Sequence, residues 1–382
     1  MTVIALFEEA RVGISDVLLS RSKSLEVART PTGGTAEDFA RYGLEVSRLV
    51  RKVVSAEGPS GKAEFLVAGT VRHIEFFTAA LRIAFKCPRD LPEQLQRKAL
   101  LGGPFGCFEA AALLCDALGF SQFEAAGVAG NRLAHHTFDA VRVYENIPYF
   151  GQVLIAGSGA RDLLGWLRIR GESMLLKHGD GNEDDRRFHI THMVPLLLMA
   201  EDLGDQRTLQ AGVGGYYESF VLQPGGLSPV DDCLTLFVDI IGRRRDAAVE
   251  VRQLLYHCYR GDMLNVLSLP APVYLTAGTD TRVALADCCY DEIPPLSGSR
   301  AAPSWTPHVV AAKMRGARNI RLHVRKEVGG VWASRRRMTH GAGPQLVEAS
   351  VAGEYLRLSL DIDAFHKDFD KFYTNTDDPI CV

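Results

Sequence analysis

The first twenty residues, "MTVIALFEEARVGISDVLLS", carry apolar side chains in two runs, 2–7 and 11–20, joined by the polar turn "EEA". Short runs of β-branched and aromatic residues bounded by turn residues predict strands, so a hairpin beginning at residue 2 is expected. Proline and paired glycine in "ARTPTGGTAEDFARYG" (28–43) predict a loop or short insertion. "RLVRKVVSA" and "KAEFLVAG" then predict a second strand pair around "EGPSG". Apolar positions at helical spacing in "TVRHIEFFTAALRIAF" predict a helix that starts directly after Gly69.

Further along, "GCFEAAALLCDALGF" predicts an apolar helix, and "FEAAGVAG", "HHTFDAVRVYE" and "FGQVLIAG" predict three strands. "SGARDLLGWLRIRG" repeats the strand-to-helix transition, and the acidic "HGDGNEDDRR" (178–187) predicts a solvated loop. "HITHMVPLLLMAEDLGD" predicts a helix, and the segment from "GGYYESFVLQPGG" to "LFVDII" a two-strand ribbon turning at "QPGG". Clustered strands separated by clustered helices imply an α+β layered domain rather than alternating βαβ units. From about residue 246 the texture changes. "RDAAVEVRQLLYHCY" predicts a helix, "EIPPLSGSRAAPSWTP" is rich in proline and serine, and three strand-like runs follow. The expected organisation is a domain over 2–245 with insertions near 28–46 and 95–120, a helical and Pro-rich connector over 246–307, and a small β-rich domain over 308–382.

Composition adds exclusions. The chain has 382 residues, 47% of them hydrophobic and 23% charged, with a formal charge of −3. Such a balance is ordinary for a globular protein and gives no global basic field for nucleic acid. The clusters "GRRRD" (242–246) and "SRRRM" (334–338) read as solvated faces. No apolar run approaches the ~20 residues that cross a bilayer, and no secretory signal pattern is present, so neither a membrane nor export is expected. The eight cysteines (87, 107, 115, 233, 258, 288, 289, 381) lack CxxC pairs or Cys/His ligand spacing. They read as reduced thiols of a cytoplasmic protein without a metal site.

The chemistry-bearing positions lie at strand ends. "AGT" (68–70) and "AGSG" (156–159) end strands in small residues at helix starts, where a backbone N–H can approach a ligand. The small Thr2 after the initiator Met allows methionine removal, which would leave an α-amine beside the Thr2 hydroxyl. An α-amine titrates near ~7.7–8.0 and a lysine near ~10.4, so only the former is substantially neutral at physiological pH. A neutral amine can take the hydroxyl proton, directly or through a water, and make the oxygen a nucleophile. Such a site also needs a cation, carboxylates to orient it and a backbone N–H for the oxyanion.

In these features the chain resembles proteasome β-type subunits and their bacterial ring-forming relatives, the N-terminal nucleophile (Ntn) peptidases. The resemblance covers about residues 2–242. It implies a four-layer αββα sandwich, with the smaller β-rich domain added at the C-terminus. It implies Thr2 as nucleophile, Asp16 as first carboxylate, Gly69 as oxyanion donor and Ser158 beside the amine. Asp205 and Thr208 in "GDQRTLQAGVGGYYE" match the second aspartate and its hydroxyl partner. Lys52 matches the cation, with Lys23 or Arg51 as alternatives. The implied activity is a threonine peptidase or amidohydrolase acting on peptide or protein, a homo-oligomer needing no metal or organic cofactor. The chain departs from the family's pattern in its single N-terminal threonine, in "TVRHIEFF" at the first helix, and in the insertion and C-terminal domain.

Two other readings stand beside it. One is a catalytically inactive Ntn-fold protein used for assembly or binding. The other takes Cys107 in "GPFGCFEAAALL" as a helix-start thiol with His135 or His136 as base, as in transglutaminase-like enzymes. There the orienting acid is missing, because the following strand end reads "IAGSGA". "DIDAFHKDFD" (361–370) alternates acids like a calcium loop but has His366 where glycine is required, and reads as a solvated strand end.

Overall fold

The computed structural model describes residues 2–20, 29–33, 46–58, 61–69, isolated positions within 71–79, 123–129, 132–138, 142–179, 181–203, 213–223, 226–241, 248–269, 272–275, 281–296, 305–328, 331–340 and 347–361. Asp205, Thr208, Lys23 and Cys107 lie outside the described residues, as do "GRRRD" and the body of "DIDAFHKDFD". The fold is α+β and rich in sheet. The chain divides into two compact units, residues 1–230 with 294–300, and residues 231–293 with 301–382.

In the first unit, β1 (Ile4–Phe7) and β2 (Val12–Asp16) form the expected hairpin, and β3 (Leu18–Ser20) pairs antiparallel with β4 (Val46–Leu49). The strands β5 (Val53–Gly58), β6 (Gly61–Gly69), β7 (Phe123–Ala129) and β8 (Arg132–Phe138) make a four-stranded antiparallel meander. β9 (Arg142–Ile147) and β10 (Gly151–Ala156) instead join β1. The run "HHTFDAVRVYE", expected to be one strand, is therefore two strands in different sheets. Helices α1 (Ala160–His178) and α2 (Glu183–Leu203) follow, then β11 (Tyr217–Gln223) and β12 (Gly226–Pro229). The second sheet runs β12-β11-β2-β1-β10-β9.

The acidic loop expected over 178–187 is shorter, because Glu183, Asp184 and Asp185 form the first turn of α2. Carboxylates there meet the positive end of the helix dipole, so a charged run that looks like a loop starts a helix. Three layers follow from the burial pattern. α1 and α2 pack on one face of the six-stranded sheet. Ile4, Leu6, Leu154, Ala156, Phe220, Leu222 and Leu227 on the other face share an apolar core with Leu66 and Ala68 of β6. Each leucine, isoleucine or phenylalanine among them, fully buried, contributes about 1.5–3 kcal/mol. Gly13 belongs to this contact, since a Cβ there would lie 2.8 Å from a Leu66 methyl.

The second unit starts earlier than the expected boundary at 245. β13 (Cys233–Ile241) pairs antiparallel with β14 (Ala248–Arg260) and parallel with β19 (Asn319–Val328). β15 (Met263–Ser268), β16 (Val273–Leu275), β18 (Cys289–Ile293) and β20 (Val331–His340) complete that sheet. β17 (Thr281–Ala284), β21 (Val347–Ala352) and β22 (Tyr355–Leu360) form a small one. Thr306 caps α3 (Pro307–Met314), whose Val310, Ala311 and Met314 join the core of this unit. The expected connector is thus largely sheet, and its expected helix is β14. The register slips by one between Phe237 and Val238, leaving Arg252 as an extra residue. Val249 and Val251 then face the same core as Leu254, Tyr256 and Cys258. That three-residue step imitates helical spacing.

After β18 the chain returns to the first unit. Arg51 N–H donates to Pro294 O at 2.9 Å, and Leu296 N–H donates to Arg51 O at 3.0 Å. Among the described residues, no helix is long and apolar enough to cross a membrane.

Candidate functional site

The hairpin β1–β2 brings its first and last residues together. Asp16 N–H donates to Val3 O at 3.2 Å, so the Asp16 carboxylate stands beside the start of the chain. Thr2 Oγ1 donates to Asp16 Oδ1 at 3.2 Å, and Val3 N–H donates to the same oxygen at 2.9 Å. Asp16 Oδ2 accepts from Gly214 N–H at 3.1 Å. Thr2 is 6% exposed and Asp16 is fully buried, so these bonds act in a medium that strengthens them.

Lys52 comes from the short link between β4 and β5. The pairing of β3 with β4, extended by Val50 N–H to Val17 O at 2.8 Å, sets Lys52 beside Asp16. Its ammonium donates to Asp16 Oδ1 and, at 2.8 Å, to Leu18 O. Burial pulls Lys52 below the ordinary lysine value, and the charge and hydrogen bond of Asp16, then the charge of Glu218, oppose that fall. Of the alternative cations, Arg51 points elsewhere: its Nε donates to Glu218 Oε1 at 2.6 Å, and its guanidinium lies 5.9 Å from the Phe220 ring centroid.

The start of α1 wraps the backbone of Thr2. Ser158 Oγ accepts from Thr2 N–H at 3.0 Å, and Gly159 N–H donates to Thr2 O at 3.2 Å. Gly157 makes this approach feasible. Its φ is +99°, and a Cβ would lie 2.3 Å from Thr2 O. Ser158 and Gly69 are exposed, whereas Thr2, Asp16 and Lys52 are buried. Gly69 ends β6 with φ +132°, opposite Phe123 of β7.

Thr2, Asp16, Lys52 and Ser158 therefore converge in one place. Gly69 stands at the end of a strand in the adjoining sheet, with no hydrogen bond to the other four among the described residues. His135 and His136 lie on β8, opposite Ala126 and Ala125.

Sequence reasoning missed a supporting clamp. Asp202 of α2 is buried, and its Oδ2 accepts from Thr32 Oγ1 and from Gly215 N–H, each at 3.1 Å. Thr32 Oγ1 also bonds Gly215 O at 3.2 Å. Gly214 and Gly215 both have positive φ, and a Cβ at Gly214 would lie 2.7 Å from Asp202 Oδ1. The clamp thus fixes the turn whose Gly214 N–H holds Asp16. Its signal was an aspartate on the apolar stripe of a helix, one turn after Leu198.

Arranged in this way, the group can hold a hydroxyl against a carboxylate and a lysine ammonium, with a second hydroxyl at the adjoining nitrogen. Comparison with known families, curated proteins and solved structures finds no match.

Proposed function

We propose that the chain is an N-terminal threonine amidohydrolase of the proteasome-like Ntn type, with Thr2 as nucleophile once the bond before it is cleaved. The observation that carries this reading is the convergence of Thr2 Oγ1 and Lys52 Nζ on Asp16 Oδ1, with Ser158 Oγ on the Thr2 nitrogen. The six-stranded sheet against the meander, with two helices outside, supports an αββα sandwich whose fourth layer would be the helices expected over 70–120.

On this reading the α-amine of Thr2 takes the hydroxyl proton, directly or through a water, as Oγ1 bonds to the carbonyl carbon of an amide. The Gly69 N–H serves the oxyanion. The protonated amine returns its proton to the leaving nitrogen as the C–N bond breaks, and water hydrolyses the resulting ester to free Thr2. Lys52 holds the hydroxyl toward its ionised form, and Asp16 holds Lys52. Ser158, with Asp205 and Thr208, orients the amine. Peptide or protein amides are the proposed substrates, and a cytoplasmic homo-oligomer the proposed state.

Intact mass tests the premise, because retention of Met1 leaves Thr2 without a free amine and sinks the reading. A threonine-directed electrophile should add one equivalent to the wild type and to Cys107→Ala, and none to Thr2→Ala. Labelling lost with Cys107→Ala would favour the thiol enzyme. A free Thr2 amine without any labelling would favour an assembly or binding protein.

A further inference from the structure

We infer that Glu218, in a buried ion pair with Arg51, is a positioning residue for the nucleophile: its carboxylate helps to hold Lys52 beside Asp16, and Arg51 moderates that hold. The inference rests on the reading of Thr2 as nucleophile. It starts from a count of charges. Asp16 is 0% exposed, Glu218 1%, Lys52 1% and Arg51 5%, so both ion pairs, Lys52 with Asp16 and Arg51 with Glu218, are buried.

A single buried pair would suffice to place an ammonium, and removing ions from water is costly, so a second pair needs a reason. Asp16 supplies one, because its carboxylate is divided among four donors: Thr2 Oγ1, Val3 N–H, Lys52 Nζ and Gly214 N–H. The charge it offers Lys52 is shared. Glu218 sits one register step away on β11, where Tyr217 pairs with Asp16 and Glu218 with Ser15. Glu218 is the second carboxylate that favours the charged form of Lys52.

Arg51 controls how much of that carboxylate Lys52 experiences. The two bases are consecutive, and Arg51 Nε takes Glu218 Oε1 at 2.6 Å. Arg51 is itself held on three sides, by the Phe220 ring, by Pro294 O and by Leu296 N–H. The charged groups that bear on Lys52 are therefore Asp16 from β2 and Glu218 from β11, the latter paired with Arg51, and the Thr2 amine would join them after cleavage.

Opposite responses in two variants test the inference. Glu218→Gln removes a carboxylate and should lower the pH at which Lys52 loses its proton. Arg51→Met releases Glu218 toward Lys52 and should raise that pH. Lys52 is followed by NMR of 13C-labelled lysine, assigned with Lys52→Arg, and in parallel by the alkaline limb of Thr2 labelling. A merely structural pair would weaken both variants without opposed shifts. Where a single change prevents folding, Arg51→Met with Glu218→Gln removes both members of the pair and should still lower the titration. An unchanged titration in that double variant, or shifts of one sign in the single variants, overturns the inference. Opposed NMR shifts in a protein whose Thr2 never labels would retain the charge coupling and discard the nucleophile.

Discussion

Lys52 and Thr2 address the same atom: the ammonium and the hydroxyl both donate to Asp16 Oδ1, the hydroxyl at 3.2 Å. One oxygen thereby sets the distance between the proposed nucleophile and its cation. Asp16→Asn keeps the shape and removes the charge. It is expected to reduce Thr2 labelling by more than about a hundredfold. It should also cost about 3–5 kcal/mol in urea unfolding, since Lys52 loses its counter-ion.

Because burial lowers Lys52, the folded protein releases that proton at a pH where the unfolded chain still holds it. Between the folded value and the ordinary one of 10.5, the unfolded state binds more protons, so this residue makes stability rise with pH. Labelling of Thr2 should fall over the same window as the cation is lost. Lys52→Met should remove the rise, and urea midpoints across the alkaline range would check it.

Gly157 and Gly165 offer a contrast within a few residues. Alanine at 157 would need φ +99° and would meet Thr2 O, so a loss of about 1–3 kcal/mol together with labelling is expected. Nothing lies within 4 Å of a Cβ at Gly165, in the exposed middle of α1. Gly165→Ala should stabilise by roughly 0.5–1 kcal/mol and leave labelling intact, as thermal melting and mass spectrometry would record.

Asp202→Ala removes the acceptor of Thr32 Oγ1 and Gly215 N–H, leaving buried donors to be satisfied elsewhere. A loss of about 1–3 kcal/mol is expected. Labelling should slow as well, because Gly214 no longer holds Asp16 squarely. Thr32→Val should slow it less, since it removes one donor and leaves Gly215 on the carboxylate.

The hairpin with Thr2 and Asp16 was legible because strand alternation and a tight turn are local signals. The same holds for Ser158, whose glycine neighbours announce a strand-to-helix junction. Lys52 was legible only through resemblance, since its approach to Asp16 depends on β3 pairing with β4 across residues 21–45. The Asp202 clamp joins residues 170 positions apart, and no local pattern reports such a pairing. β14 was misread because a bulge converts alternation into a three-residue step. Glu183–Asp185 were misread because charges that suit a helix start also suit a loop.

The strap from Pro294 to Leu296 sets an order of events during synthesis. The ribosome delivers Lys52, Glu218 and Phe220 before residue 231, yet the backbone partners of Arg51, Pro294 and Leu296, emerge only after β13 to β18 have been made. Until then the backbone beside the proposed cation has one open edge. Completion of the N-terminal unit thus waits on chain that lies within the span of its neighbour, and a chain arrested before Pro294 would carry Thr2, Asp16 and Lys52 without the backbone bonds that hold Arg51.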